Sequence, residues 1–524
     1  VAGPDIQVAM GGYLGSKLSN PETHMSEILG LIAAILVLYI TMRRVGATMI
    51  PLINALIAVG VGLAGVEIIA NFVFIPDVAP TLGTMLGLGV GIDYALFLVT
   101  RHRMLLRQGY DVPDAAGRTA GTAGAAMIFA GATLIAAVCG LALTGLSFLA
   151  WLGYAAAIVV ACAVAASVTL VPALLGLMKY AVVPKRHREP ETPEQLDASR
   201  WGRLADGVTK RPWPVATITT VLLLTLAAPA TTLTLGQADA GLLPPDTTAR
   251  QAYDLMSEAF GPGTTAPLAV TAQLYSPATA PADADASAES APPTATTLDP
   301  GAGDPRRSDP RLQELAAAVA ATPGVASVSA PVVSTDGGVA IIRAIPEYRG
   351  SDPQTRALVA ELRTEVLPPA TAGQSMSAHV GGITAATSDL MALIAQKTPW
   401  FILGVVSLAF VLLMVAYRSL LIPLKAAVMN LVSIAAAYGV VVAVFQWGWG
   451  ASLLNIDAPV VIESYVPMML FAVLFGLSMD YEVFLLTAFR EHWERTGDMT
   501  TSVRRGLADT GKVVTAAALI MCVV

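Results

Sequence analysis

Charge is scarce in this sequence: only 13% of its 524 residues are Asp, Glu, Lys or Arg, about half the ~25% usual in soluble globular chains. Cysteine is nearly absent. Cys139, Cys162 and Cys522 all sit inside apolar stretches, which argues against a disulfide framework or a thiolate metal site and leaves them as small core hydrophobes. No Gly-x-x-x-x-Gly-Lys-Ser/Thr loop occurs, so the chain carries no nucleotide-driven motor of that type. No basic patch points to nucleic acid. The net charge of −7 says little about partners, because acidic residues gather in one hydrophilic segment and basic ones elsewhere.

What abounds is apolar sequence, 55% of the chain with a mean hydropathy of +0.65. It falls in blocks of 18 residues or more, the length needed to cross ~30 Å of hydrocarbon. Spans are predicted at roughly 26–42, 47–74, 80–100, 121–147, 151–178, 213–234, 398–417, 421–447 and 465–487, with a tenth from about 513. Basic residues set the orientation. Arg43-Arg44, Arg101, Arg103, Arg107, Lys185-Arg186, Arg188, Lys210-Arg211, Arg418, Arg490, Arg495 and Arg504-Arg505 share one face if the spans alternate, while the short loops 75–79 and 148–150 hold no Lys or Arg. By the positive-inside rule that face is cytoplasmic, so residues 1–25 and 235–397 lie outside. The chain starts at Val1 without an initiator Met and ends at Val524 in an apolar run; both ends read as cut, and the chain as a fragment.

The long outer segment carries its own pattern. Strands are expected at 266–275, 325–333, 338–346 and 376–381, and helices at 310–321 and 353–366. Asp309 would cap the first helix with Pro310 at its first position, and Ser351 or Asp352 the second. Asp336-Gly337-Gly338 forms the turn between the middle strands. This β-α-β-β-α-β order is the split ferredoxin-like pattern. The Ala-, Pro- and Asp-rich stretch 276–308 has too little apolar surface to bury and reads as a disordered insert.

An internal repeat organises the rest. Gly89 and Gly476, Asp93 and Asp480, Tyr94 and Tyr481, Phe97 and Phe484, Arg103 and Arg490, Arg118 and Arg505, and Gly124 and Gly511 are each 387 residues apart. Upstream, Val8-Ala9-Met10-Gly11-Gly12 resembles Ala378-His379-Val380-Gly381-Gly382 with the glycines 370 apart. The expected organisation is therefore the tail of a first outer domain (1–25), a five-span bundle (26–178), a cytoplasmic linker (179–212), a span (213–234), a second outer domain (235–397) and a second bundle (398–524). The duplication is parallel rather than inverted. The fold class is thus an α-helical polytopic membrane protein with a pseudo-twofold duplicated bundle and an α+β ferredoxin-like outer domain.

Two intramembrane carboxylates need a reason, since each costs about 2.5–3.5 kcal/mol at the bilayer centre on insertion scales. Asp93 lies eight residues before Arg101, about 12 Å of helix at ~1.5 Å per residue, and Asp480 ten before Arg490. Both are too short to reach water. Neighbouring helical residues diverge by about 100°, so Tyr94 cannot serve Asp93. Pairing across the halves, Asp93 with Tyr481 and Asp480 with Tyr94, satisfies both, either directly or through water. Such pairs break and reform as protons load and leave. Structural glue is the plainer alternative for a single Asp, and less apt for two in register. Gly89 and Gly476, one turn earlier, allow close helix approach. Asn54, Glu67, Asn71 and Asn430 are further polar residues in spans, and His379 belongs to the outer domain's last strand.

At these residues the chain resembles a known family. Gly-Leu-Gly-Val-Gly-Ile-Asp-Tyr-Ala-Leu-Phe (87–97) and Phe-Gly-Leu-Ser-Met-Asp-Tyr-Glu-Val-Phe-Leu (475–485) look like the signature helices of the mycobacterial membrane protein large (MMPL) family, within the resistance-nodulation-division (RND) superfamily. Tyr417-Arg418-Ser419 with Pro423-Leu424-Lys425 resembles the entry to that family's second half. The resemblance implies twelve spans in the complete protein, two outer porter domains, and proton-driven export (antiport) of lipids, lipid precursors or hydrophobic small molecules across the plasma membrane. It implies a proton relay at Asp93, Tyr94, Asp480 and Tyr481, membrane lipids and protons as partners, no cofactor or metal and no enzymatic activity, and it leaves room for a homo-oligomer. This chain departs by lacking the first span, most of the first porter domain and the last span. The alternatives are a sterol-sensing or protein-translocation relative of the superfamily, or an intramembrane aspartyl protease. The last takes its two Asp from unlike motifs, whereas here a repeat supplies both.

Overall fold

The computed structural model describes residues 8–19, 24–183, 200–237, 239–280, 304–451 and 460–523. The chain divides into two compact units: Val1–Pro21 with Thr234–Gln396 and Phe445–Ser464, and Glu22–Leu233 with Lys397–Val444 and Tyr465–Val524.

The second unit is helical. Among the described residues, nine stretches are long and apolar enough to cross a membrane: Val45–Ala70, Ala79–Arg107, Val112–Thr144, Ser147–Val182, Pro212–Thr232, Ile383–Tyr417, Leu421–Phe445, Val466–Thr496 and Met499–Val523. A shorter apolar stretch, Ile28–Met42, precedes them. Proline occupies the first turn of the helices that begin at Ala79, Val112, Pro212 and Val466, where its missing N–H has no intrahelical partner to lose. The span expected from 121 starts earlier, at Val112. It passes through a π-helical turn at Ala120–Gly124 and a 3₁₀ turn at Gly140–Thr144, and left-handed Gly145 (φ 74°) closes it. The span expected at 398–417 is the second part of a 35-residue helix, Ile383–Tyr417; hydropathy alone does not register its polar first turns.

Small residues set how closely these helices approach. A Cβ on Gly62 would stand 2.8 Å from Val159 Cα, and one on Gly91 would stand 3.0 Å from Ala55 Cα. In an apolar solvent helices associate through such packing rather than through the hydrophobic effect. Asn54, fully buried, ties three of them together: its amide donates to the Gly91 carbonyl and to Ser167 Oγ, both at 3.0 Å.

The first unit is built on a sheet. Its strands are β1 (Leu235–Gly236), β2 (Leu268–Leu274), β3 (Val325–Val328), β4 (Val332–Val333), β5 (Val339–Pro346), β6 (Met376–Gly381) and β7 (Ile462–Glu463). Strands β3-β5-β2-β6 lie side by side in that order, all antiparallel, with β4 also on β5; β1 and β7 form a separate parallel pair. Alternate residues of β2 (Leu268, Val270, Ala272, Leu274) and β5 (Ala340, Ile342, Ala344) face a core closed by Leu312, Leu315 and Val319 of the helix Pro310–Ala320. Several expected elements differ. The strand expected at 325–333 breaks around Pro331, which has no N–H for the ladder. The helix expected at 353–366 is α-helical only over Pro353–Glu361, turns π-helical at Leu362–Val366 and resumes over Leu367–Thr371, because Pro368 and Pro369 cannot donate back. Of the two expected caps, Asp352 takes the N-cap position, but its carboxylate accepts from the Arg349 N–H rather than from the helix, and Ser351 bonds to Asp239. Residues 281–303 of the expected insert lie outside the described residues. Its two ends are held in place, by Ala278 N–H to Gly337 O and by a 3₁₀ turn at Pro305–Ser308.

Asp309 is the polar keystone of this unit. Its buried carboxylate caps the Pro310–Ala320 helix through the Arg311 N–H at 3.0 Å, accepts the Thr279 N–H at 3.0 Å and pairs with the Arg311 guanidinium at 2.8 Å. That guanidinium first, and then the two N–H donors, hold the carboxyl below the ordinary carboxylate value of 3.8. A carboxyl depressed by folding contributes stability at all pH above its unfolded value and loses it as pH falls through the lower folded one. The unit is therefore expected to loosen only below about pH 4. Asp309→Ala should cost about 2 kcal/mol, read as faster amide exchange across residues 310–320 of the intact chain. Asp309→Asn, which keeps an acceptor, should cost less.

Candidate functional site

The site is assembled from two helices of the second unit. Asp93 and Tyr94 lie on Ala79–Arg107, and Asp480 and Tyr481 on Val466–Thr496. Asp93, Tyr94 and Asp480 are 5%, 1% and 1% exposed. Tyr94 Oη donates to Asp480 Oδ2 at 2.5 Å. On its other oxygen Asp480 has Thr133 Oγ1 at 3.4 Å, whose proton is directed to the Ala130 carbonyl at 2.6 Å. The mirror partnership is not closed in the same way. Tyr481 Oη stands beside Asp93 and close enough to interact with its carboxyl, but no hydrogen bond of ordinary geometry joins the two. Two pairs that match in sequence are unequal in geometry.

Aromatic rings cover the pairs on one side. Phe97 and Phe484, each four residues after its Asp, stack with centroids 4.2 Å apart, and Phe484 stands edge-on to Tyr94 at 6.4 Å. The two glycines also differ. A Cβ on Gly476 would stand 2.4 Å from Leu134 Cδ1 and 3.0 Å from Leu134 Cα, whereas one on Gly89 meets only the flexible end of Met521. Only the Gly476 contact involves backbone.

Other polar residues sort by surroundings. Asn430 accepts from Ser478 Oγ at 2.5 Å. Glu67 and Asn71 are exposed at a helix end, where the Asn71 amide returns to the Glu67 carbonyl at 2.9 Å. His379 is exposed on β6 opposite Thr271. Thr133 beside Asp480 escaped the sequence reading for a definite reason: the residue 387 further on is Ile520, so the repeat carries no trace of it. Tyr438, whose hydroxyl donates to the Pro467 carbonyl, was equally silent. Among the described residues no group of three His, Cys, Asp or Glu side chains could hold a metal ion.

Long apolar helices with a carboxyl–phenol pair sealed between two of them define a multi-pass membrane protein built around a buried acid. A family model described as the MMPL family matches residues 2–215 and 241–524, and the chain belongs to that family. The membrane protein YdfJ of Bacillus subtilis (strain 168) is 34% identical over 501 residues, which cover 95% of this chain and 64% of YdfJ. The mycolic acid-containing lipids exporter MmpL11 of Mycolicibacterium smegmatis is 32% identical over 521 residues, covering 98% of this chain and 52% of the exporter. The chain thus spans between about half and two thirds of the length of these relatives. Among solved structures, SecDF in its super-membrane-facing form aligns with a TM-score of 0.50 at 14% identity, over 98% of this chain and 56% of SecDF. At that identity the likeness speaks to fold alone.

Proposed function

We propose that the full-length protein is a proton-driven exporter of lipids, lipid precursors or hydrophobic small molecules across the plasma membrane, with Asp93, Tyr94, Asp480 and Tyr481 as its proton relay. The observation that carries this reading is the Tyr94–Asp480 hydrogen bond, which joins the two repeated helices inside the bundle. An ionisable residue there is costly and marks a functional path, a proton relay among them. Protonating Asp480 weakens its bond to Tyr94, and ionising it strengthens that bond. Proton loading therefore biases how tightly the two helices hold each other. The printed function of the MmpL11 relative, export of mycolic acid-containing lipids, supports a lipid cargo.

Two further features support a duplicated transporter. Asn54 bonds to residue 91 and Asn430 to residue 478, and 91 and 478 are again 387 apart. The strand order β3-β5-β2-β6 with antiparallel neighbours supports the ferredoxin-like reading of residues 235–397 as a porter domain. The distribution of Lys and Arg favours an extracytoplasmic side for it.

The test is transport by the full-length protein. Lipid profiles of cells lacking the gene, with and without the restored gene, identify the cargo. Export of that cargo should stop when a protonophore collapses the proton gradient. Tyr94→Phe removes a hydrogen bond to a chargeable group, worth about 1.5–3 kcal/mol, and should lower export at least about tenfold. Tyr481→Phe, which removes only the looser contact with Asp93, should lower it less. Export that ignores the protonophore sinks the reading.

A further inference from the structure

Beneath the stacked Phe97–Phe484 pair the second unit holds a cavity of about 100 Å³. Those two rings line it, one helical turn from Asp93 and Asp480 (about 6 Å). Its lining also includes four ionisable side chains, Arg101, Glu491, His492 and Asp509. They are mutually arranged: Arg101 pairs with Glu491 at 2.9 Å, Arg495 with Glu491 at 2.7 Å, and His492 Nε2 meets Asp509 at 2.9 Å. One water needs roughly 10–15 Å³ and two to four polar partners, so the volume admits several.

The walls supply those partners with a fixed sense. Thr100, Thr122, Thr487 and Thr510 line the cavity, and each hydroxyl gives its proton to the carbonyl four residues back, on Leu96, Arg118, Val483 and Gly506. Their oxygens can then only accept. Water along these walls must point a proton at each threonine, leaving its remaining hydrogen bonds for other waters or for the ionised groups at the mouth. The π-helical turn Ala120–Gly124, which presents Thr122 to this space, is a widening of the kind found mostly at functional sites.

We propose that this cavity is the aqueous vestibule through which the buried acids exchange protons with the side bearing the basic turns, and that His492 with Asp509 is its exchanging mouth. The inference rests on the relay reading of Asp93 and Asp480. A proton leaving the Asp480 carboxyl passes to water once the Phe97–Phe484 stack parts. Water relays it to the neutral imidazole of His492, and the Asp509 carboxylate balances the imidazolium that results. Loss of that proton to bulk water restores the neutral imidazole. Arg101 and Arg495 both pair with Glu491, which ties its carboxylate to those guanidiniums rather than to His492.

The experiment uses the full-length protein in vesicles, with Cys139, Cys162 and Cys522 replaced by Ala. Ala488→Cys, in the cavity wall, should react with a membrane-impermeant charged methanethiosulfonate applied from the side bearing Arg101. Ala95→Cys, beyond the rings, should not. In proteoliposomes with a trapped pH dye, His492→Gln should slow proton equilibration about tenfold after a pH jump. Added imidazole buffer should restore it, which a purely structural role of His492 would not allow. An unreactive Ala488→Cys, or a His492→Gln rate equal to wild type, overturns the vestibule. Asp480→Asn separates the two ideas. If it stops proton movement while His492→Gln does not, the relay stands and the vestibule falls; if it leaves proton movement intact, both fall.

Discussion

Asp480→Asn in the full-length protein is expected to abolish export while the chain still inserts and accumulates in the membrane. The substitution is close to isosteric. The new amide oxygen still accepts from Tyr94, 2.5 Å away in the native site, and the amide N–H can turn toward Thr133. Packing is therefore kept, and insertion becomes easier because a chargeable group has left the apolar interior. What disappears is the ability to bind and release a proton at that point. Losses of a positioned proton carrier run to about 10²–10⁴-fold, which in a cellular assay is the level of the empty vector. Asp93→Asn should behave alike, since a relay needs both carriers. The measurement is cargo export at matched membrane abundance; substantial export by either variant would falsify the relay.

The second large effect is structural. A Cβ on Gly439 would stand 1.8 Å from the Leu226 carbonyl oxygen and 3.0 Å from Ala227 Cα. Both obstacles are backbone, so no rotamer change relieves the clash, and the helices Pro212–Ala227 and Leu421–Phe445 must separate. Overpacking of this kind costs typically about 1–3 kcal/mol, and more where neighbours cannot yield. Gly439→Ala should lower the thermal midpoint in detergent by several degrees and reduce membrane abundance. Gly60→Ala is the control, because nothing lies within 4 Å of a Cβ there and Ala is the better helix former. Equal stability of the two variants would dismiss the close approach.

The features legible in the sequence are those that depend on short-range pattern. Hydropathy marks the spans because a helix in lipid must be apolar along ~20 residues whatever it packs against. Asp309-Pro310 announces a helix start because the cap and the fixed φ act within one turn. The offset of 387 residues singles out Asp93 and Asp480, and a 100° divergence between neighbours turns attention to the opposite Tyr. The inequality of the two pairs was not legible, because it depends on helix placement to within an ångström while the two strings are nearly identical. Thr133 and the Thr-lined cavity were hidden for a related reason. A threonine inside an apolar helix is unremarkable until the neighbouring helix shows what it faces. The breaks at Pro331 and at Pro368-Pro369 fall at visible prolines, but the apolar rhythm runs on through both positions and masks them.

The sheet has a consequence for how the protein is made. β2 lies in the interior of the sheet, yet it comes before β3, β4, β5 and β6 in the chain. Its ladder with β6 runs from Leu274 opposite Met376 to Ala269 opposite Gly381, so at ~5–20 residues per second a ribosome needs roughly 5–20 s to supply the last partner of a strand already synthesised. Until β5 is made, Leu268, Val270, Ala272 and Leu274 are an apolar template with both edges open, and one edge stays open until β6 arrives, the form most prone to pairing with a neighbouring nascent chain. The length of chain looped out between β2 and its partners adds little to this burden, since closure entropy grows only logarithmically. The delay is a matter of order of synthesis: the earliest strand made is among the last to be protected.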